Sequence, residues 1–118
     1  MNDSPQAQAR RWYAQRISAM VLGILVLVHL ATMVYAVRGG LSGAEILART
    51  QDNLWVAAYY TLFVLACAVH VPTGLANIAV EWARWPAARA LWAARGIALL
   101  ILLTGLRAVY AVYSGGAA

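Results

Sequence analysis

The sequence contains no lysine, one cysteine and only four acidic residues in 118 positions. The lone Cys67 excludes an internal disulfide, and the absence of any C-x-x-C spacing excludes a cysteine-held metal centre in this chain. Cys67 sits in an apolar run and reads as a small packed hydrophobe. The acids Asp3, Glu45, Asp52 and Glu81 leave the cores of the apolar stretches free of carboxylates. That argues against a proton relay and against a non-haem metal site, which needs several ligands close together. No nucleotide-binding or flavin motif is present, so the chain does not read as a self-sufficient enzyme.

Apolar residues are abundant instead. The chain is 64% hydrophobic and 11% charged, with a mean hydropathy of +0.69. A soluble domain of this length could not bury so much apolar surface, so lipid is its natural solvent. The sequence predicts an all-α membrane protein, a single transmembrane domain over residues 1–118 with helices at about 13–37, 54–82 and 91–113. Each run is long enough, at ~1.5 Å per residue, for a ~30 Å hydrocarbon core. Strands do not fit, because they would leave backbone groups unpaired in lipid and the runs do not alternate. Residues 41–53 form a polar connection in which Ser42 can start one short helix. Pro72 is expected to kink or loosen the second span. Gly96 and Gly105 are expected to let helices approach closely. The polar opening 1–8 and the lack of a small-residue cleavage site predict that the first apolar stretch is retained.

The net charge of +5 is carried entirely by arginine, and the arginines flank apolar runs. This points to lipid headgroups and topology, not nucleic acid. Arg10, Arg11, Arg16, Arg84, Arg89 and Arg95 fall on one side; Arg38, Arg49 and Arg107 fall on the other. The positive-inside rule then predicts a cytoplasmic N-terminus and an outside C-terminus. Trp12, Trp82, Trp85 and Trp92 read as an interfacial belt.

Both histidines, His29 and His70, lie inside spans. A polar side chain in the bilayer has a job or a partner. Haem ligation, a proton relay and a hydrogen bond between helices are the open readings. At ~100° per residue, Gly74, Asn77 and Glu81 follow His70 along one stripe, and His29, Leu22, Ser18 and Gln15 share another. A glycine one turn from a histidine leaves room for a flat macrocycle. Two isolated imidazoles in apolar helices suit low-spin haem b, with one imidazole on each face of an iron.

The run Gln15-Arg16-Ile17-Ser18-Ala19, followed by His29, and the run His70-Val71-Pro72-Thr73-Gly74-Leu75, closed by Glu81, resemble the first two helices of membrane-anchor cytochrome b subunits of succinate dehydrogenases and fumarate reductases. The resemblance covers about residues 12–82. It implies that His70 is a haem b axial ligand and that His29 is the additional ligand of two-haem members. It places Gly74 against the haem, Arg16 at the quinone site, and Ser18 as a further quinone-site candidate. It departs from the family pattern at Ala76 and Asn77, where arginine and histidine are frequent, and at Trp12, where serine is frequent. The implied partners are a flavoprotein, an iron–sulfur protein and a second anchor chain, identical or related. The implied setting is the bacterial inner membrane, and the implied cofactors are haem b with quinone as electron acceptor. The chain is then a non-catalytic subunit of an oxidoreductase complex.

His29 lies nearer the outside and His70 nearer the cytoplasm. Helices in contact at ~8–10 Å are too close to clamp a haem between them. Each histidine is therefore expected to pair with one on a second anchor chain, with a single haem gripped by His29 and His70 as the simpler alternative. Arg107 and Arg38 either snorkel to water or contact propionates of an outer haem. A haem-free structural anchor and a small cytochrome b of a different respiratory dehydrogenase are the alternative functions.

Overall fold

A computed structural model describes residues 4–116. Among them are four helices and no strands: α1 (Pro5–Gly39), α2 (Gly43–Thr50), α3 (Leu54–Glu81) and α4 (Ala87–Tyr113). α1, α3 and α4 are the three helices long and apolar enough to cross a membrane. α2 is the short helix expected from Ser42.

Local chemistry sets the boundaries. α1 begins eight residues before the expected start, because Ser4 caps it through the Ala7 N–H at 3.2 Å and Pro5 occupies the first turn. Its 35 residues reach about 52 Å, well beyond the hydrocarbon core, so the first turns stand clear of it. α2 carries a full capping box, with Glu45 N–H donating to Ser42 Oγ and Ser42 N–H donating to the Glu45 carboxylate at 2.9 Å. Asn53 caps α3 through Val56 N–H. α3 continues through Pro72 as one helix; the missing N–H costs the carbonyl of Ala68 its usual donor without ending the helix. α4 starts four residues earlier than expected, behind Pro86.

α3 is the central element, packed along α4 for most of its length and more sparsely against α1. Small residues make the α3–α4 seam: Ala76, Ala90, Ala94 and Leu91 form its buried cluster. At Gly105 an added Cβ would stand 2.8 Å from both methyls of Val64, so only glycine fits that crossing. Gly96 does not share this role; a Cβ there meets nothing within 4 Å, since it faces away from α3. α2 lies across the end opposite the arginine cluster. Thr50 Oγ1 donates to Val112 O at 3.0 Å, Asp52 N–H donates to Tyr113 O at 3.0 Å, and Arg49 donates to Gly40 O at 3.0 Å. These bonds satisfy carbonyls that α1 and α4 leave open at their C-terminal ends.

Most large apolar side chains point outward. Leu27, Trp55, Trp92 and Leu100 are among many that are exposed, while the buried apolar core among the described residues consists of Leu25, Leu91 and alanines. Water does not tolerate such a surface on this scale; lipid does.

Candidate functional site

The α1 face toward α3 carries Gln15, Ser18, Leu22, Leu25 and His29, as the helical period requires. Ser18 is the one buried polar residue among the described residues, 5% exposed. Its hydroxyl donates to the carbonyl of Gln15 at 3.1 Å and meets His70 Nδ1 at 3.2 Å. A hydroxyl has one proton. With that proton on the Gln15 carbonyl, Ser18 accepts from His70, so Nδ1 carries the imidazole proton. His70 Nε2 is then the bare nitrogen with a lone pair to offer, the form in which histidine binds metals.

That nitrogen borders the notch at Gly74. A Cβ built on Gly74 would lie 3.9 Å from His70 Nε2 and 2.9 Å from Gln15 Nε2. The Gln15 amide reaches into the same seam, and its Oε1 is buried without a hydrogen-bond partner. An oriented imidazole, a glycine-lined flank and an unsatisfied amide oxygen converge at one point of the α1–α3 seam. This donor set fits a single axial nitrogen to a flat macrocycle. It does not fit a polydentate ion: among the described residues no three of His, Cys, Asp and Glu cluster.

His29 occupies a second, similar station. Its Nδ1 meets the Tyr60 hydroxyl at 3.3 Å, and its ring stands edge-on to Tyr60 and to Phe63, each 5.9 Å away. The neighbouring Tyr59 hydroxyl donates to the carbonyl of Leu25 and ties α3 to α1 beside it. A cavity of about 430 Å³ opens at His29, bordered by Tyr60, Phe63 and Val64 of α3, Thr50 of α2, and Gly105 of α4.

The two stations are far apart. Ser18, which meets His70, precedes His29 on the same helix by eleven residues, about 16 Å of axial rise. An offset of that size does not bring both imidazoles to one iron.

Other predicted residues are placed as follows. Arg16 is exposed and stands over the Trp12 ring at 5.5 Å, on the side of α1 away from Ser18. Arg38 and Arg107 are exposed, and neither borders the cavity beside His29. Tyr60, which with Trp55 and Tyr59 reads in the sequence as a headgroup-level ring, is the partner of His29; nothing in a linear pattern shows which residue of one span faces which of another. The same holds for the small cavity at the arginine-rich end, about 190 Å³, which brings Arg11, Thr73 and Asn77 together.

No curated protein and no solved structure matches the chain. The sequence pattern of one family spans residues 4–111, all of α1 to α3 and nearly all of α4. With two membrane helices joined across a Ser18–His70 bond and a third packed behind them, this multi-span chain belongs to the succinate dehydrogenase/fumarate reductase transmembrane subunit family.

Proposed function

We propose that the chain is a haem b-binding anchor of a succinate:quinone oxidoreductase, with His70 as one axial ligand and electrons passing from an iron–sulfur subunit to quinone. The observation that carries this reading is the Ser18–His70 bond, which leaves Nε2 bare beside the glycine notch. Bound there, haem b supplies a one-electron centre inside the low-dielectric membrane. Ser18 orients the imidazole and holds its proton on Nδ1. Gly74 gives its flank to the Gln15 side chain, a flexible amide that would swing aside for a flat macrocycle. The apolar walls of the seam exclude water.

His29 serves as a second ligand at a different depth, with Tyr60 in the role that Ser18 plays for His70. The ~16 Å offset supports pairing each histidine with one on a second anchor chain rather than with each other. On this reading the cavity beside His29 receives part of the outer haem. Arg38 and Arg107 reach its propionates only by swinging in from the exposed positions they hold.

The arginine-rich end faces the cytoplasm of a bacterial inner membrane, six arginines against three. There the flavoprotein and iron–sulfur subunits dock, and the quinone head binds at the membrane surface. Arg16 and Ser18 mark the level of that site by family resemblance.

The test is spectroscopic. The assembled complex should show b-type bands in a reduced-minus-oxidised spectrum, and His70→Ala should remove haem signal. A wild-type complex without those bands, or a full haem complement in His70→Ala, overturns the haem reading and leaves a structural anchor.

A further inference from the structure

The end of the molecule opposite the arginine cluster holds a further cavity, about 460 Å³, between α1 and α3 under the cover of α2. Its wall on α1 is the stripe Val28, Thr32 and Ala36, one turn apart. Its wall on α3 is Trp55, Val56 and Tyr59, from the first two turns of that helix. Its roof is Ile46 and Arg49 of α2, with Leu41 from the loop before it. From Val28 to Ala36 the α1 wall covers about 12 Å of axial rise, so the cavity runs from the helix ends into the hydrocarbon layer.

The lining restricts the occupant. The hydroxyls of Thr32 and Tyr59 donate to the carbonyls of His29 and Leu25, so neither has a proton left to offer. The walls are therefore apolar in effect. A gap between helices forfeits dispersion contacts, and an apolar gap stays dry. In a bilayer the hydrocarbon at hand to fill it is an acyl chain. Among the described residues no histidine borders this cavity, so a haem iron finds no nitrogen ligand there. The one cation on its lining is Arg49 in the roof. Arg49 donates through Nη2 to the Gly40 carbonyl at 3.0 Å. A guanidinium has five N–H donors, so that bond leaves others to take phosphate oxygens. The Glu45 carboxylate accepts from Ser42 N–H at 2.9 Å and does not border the cavity. Trp55 and Tyr35 also line it and are 87% and 72% exposed, as amphipathic rings at headgroup level are.

We infer that this cavity holds one acyl chain of a phospholipid from the leaflet opposite the arginine cluster, with the lipid phosphate on Arg49. The inference needs only that α1 and α3 span the membrane, and it stands apart from the proposed electron path. Ile46, Thr50 and Tyr60 border both this cavity and the one beside His29. A chain seated here backs the wall that holds His29 and fastens α2 over both cavities.

The experiment places the assembled complex in vesicles of phosphatidylethanolamine and phosphatidylglycerol, with a diazirine on an acyl chain of the phosphatidylglycerol. On the unmutated complex the label should saturate, concentrate on residues 28–36 and 55–60, and be displaced by unlabelled phospholipid. This readout does not depend on the folding of a variant. The second readout is mass spectrometry of the complex after delipidation in mild detergent. A phospholipid retained by the unmutated complex should be lost from Ala36→Leu, which fills the cavity, and from Arg49→Gln, which removes the partner of the phosphate. Arg49→Lys, which keeps the charge, should retain it. Label spread evenly over the outward faces of the spans, around Leu27 and Leu100 as much as around Ala36, overturns the site. Label displaced by a short-tailed benzoquinone and not by phospholipid overturns it too, because the cavity is then a quinone pocket. Full lipid retention in both Ala36→Leu and Arg49→Gln, or none in the unmutated complex, also overturns it.

Discussion

Ser18 and His70 meet at 3.2 Å across the α1–α3 seam, and the serine hydroxyl has a second partner in the Gln15 carbonyl at 3.1 Å. Fifty-two positions separate the two residues in sequence. One hydroxyl thereby holds the ring of a membrane histidine, and with its own proton on the Gln15 carbonyl it places the imidazole proton on Nδ1.

Removing that hydroxyl should loosen the ligand without removing it. Ser18→Ala is expected to lower haem affinity by roughly 10–100-fold, the usual cost of losing a partner to a metal-bound histidine. Ser18→Thr should restore most of it. Haem titration of the purified complex, with electron paramagnetic resonance of the oxidised haem, measures both the affinity and the imidazole orientation. Equal affinity in Ser18→Ala and the unmutated protein would count against the role of Ser18.

Gly74 tests the flank. A single methyl there meets the end of the Gln15 side chain at 2.9 Å, and a flexible amide can yield by a few tenths of an ångström. Gly74→Ala should therefore keep haem, whereas Gly74→Ile, whose branches project into the notch beside His70, should lose it. Pyridine haemochrome assay of the two variants, at matched protein levels, distinguishes these outcomes.

Gly105 gives the opposite pattern. The atoms that a Cβ would meet at 2.8 Å are the methyls of Val64, a side chain stiff at χ1 and packed in the α3–α4 seam. Gly105→Ala should destabilise the bundle by about 1–3 kcal/mol. Val64→Ala in the same chain should recover much of that loss. Thermal unfolding in detergent, followed by circular dichroism, measures both changes.

The short α2 should respond to acid. The Ser42 N–H and then the Ser42 hydroxyl hold the Glu45 carboxyl below its ordinary value of 4.5; burial opposes them more weakly, and the charge of Arg49 adds the smallest lowering effect. A carboxyl lowered on folding contributes its stability above the unfolded pKa, and that contribution is lost as pH falls through the lower folded value. Hydrogen exchange of the amides of α2 should therefore quicken as pH falls below about 4.5, after correction for intrinsic rates; Ser42→Ala, which keeps the backbone N–H, should weaken that pH dependence, and Glu45→Gln should remove it.

Much of the architecture is legible in the chain because hydropathy is a local property. Three runs of apolar residues, with glycine or proline between them, predict three spans wherever they pack. Hydropathy starts α1 too late because residues 5–12 are polar in part; the helix there follows from the Ser4 cap. The short helix after Ser42 was readable because a capping box is a four-residue signal. Gly96 and Gly105 look alike in sequence, yet only Gly105 faces a neighbour, since the rotation of α4 against α3 is a packing outcome.

The sequence by itself determined the membrane class, the spans, the face of α1 shared by Gln15, Ser18 and His29, and the stripe from His70 through Gly74. Those features follow from hydropathy and from the 3.6-residue period, which need no partner. Only the tertiary structure decided that Ser18 holds His70, that Tyr60 holds His29, that the two stations stand about 16 Å apart, and that Arg11 and Asn77 border one cavity. Register between helices depends on how side chains far apart in the chain fit together, and no window of residues along one span contains that information.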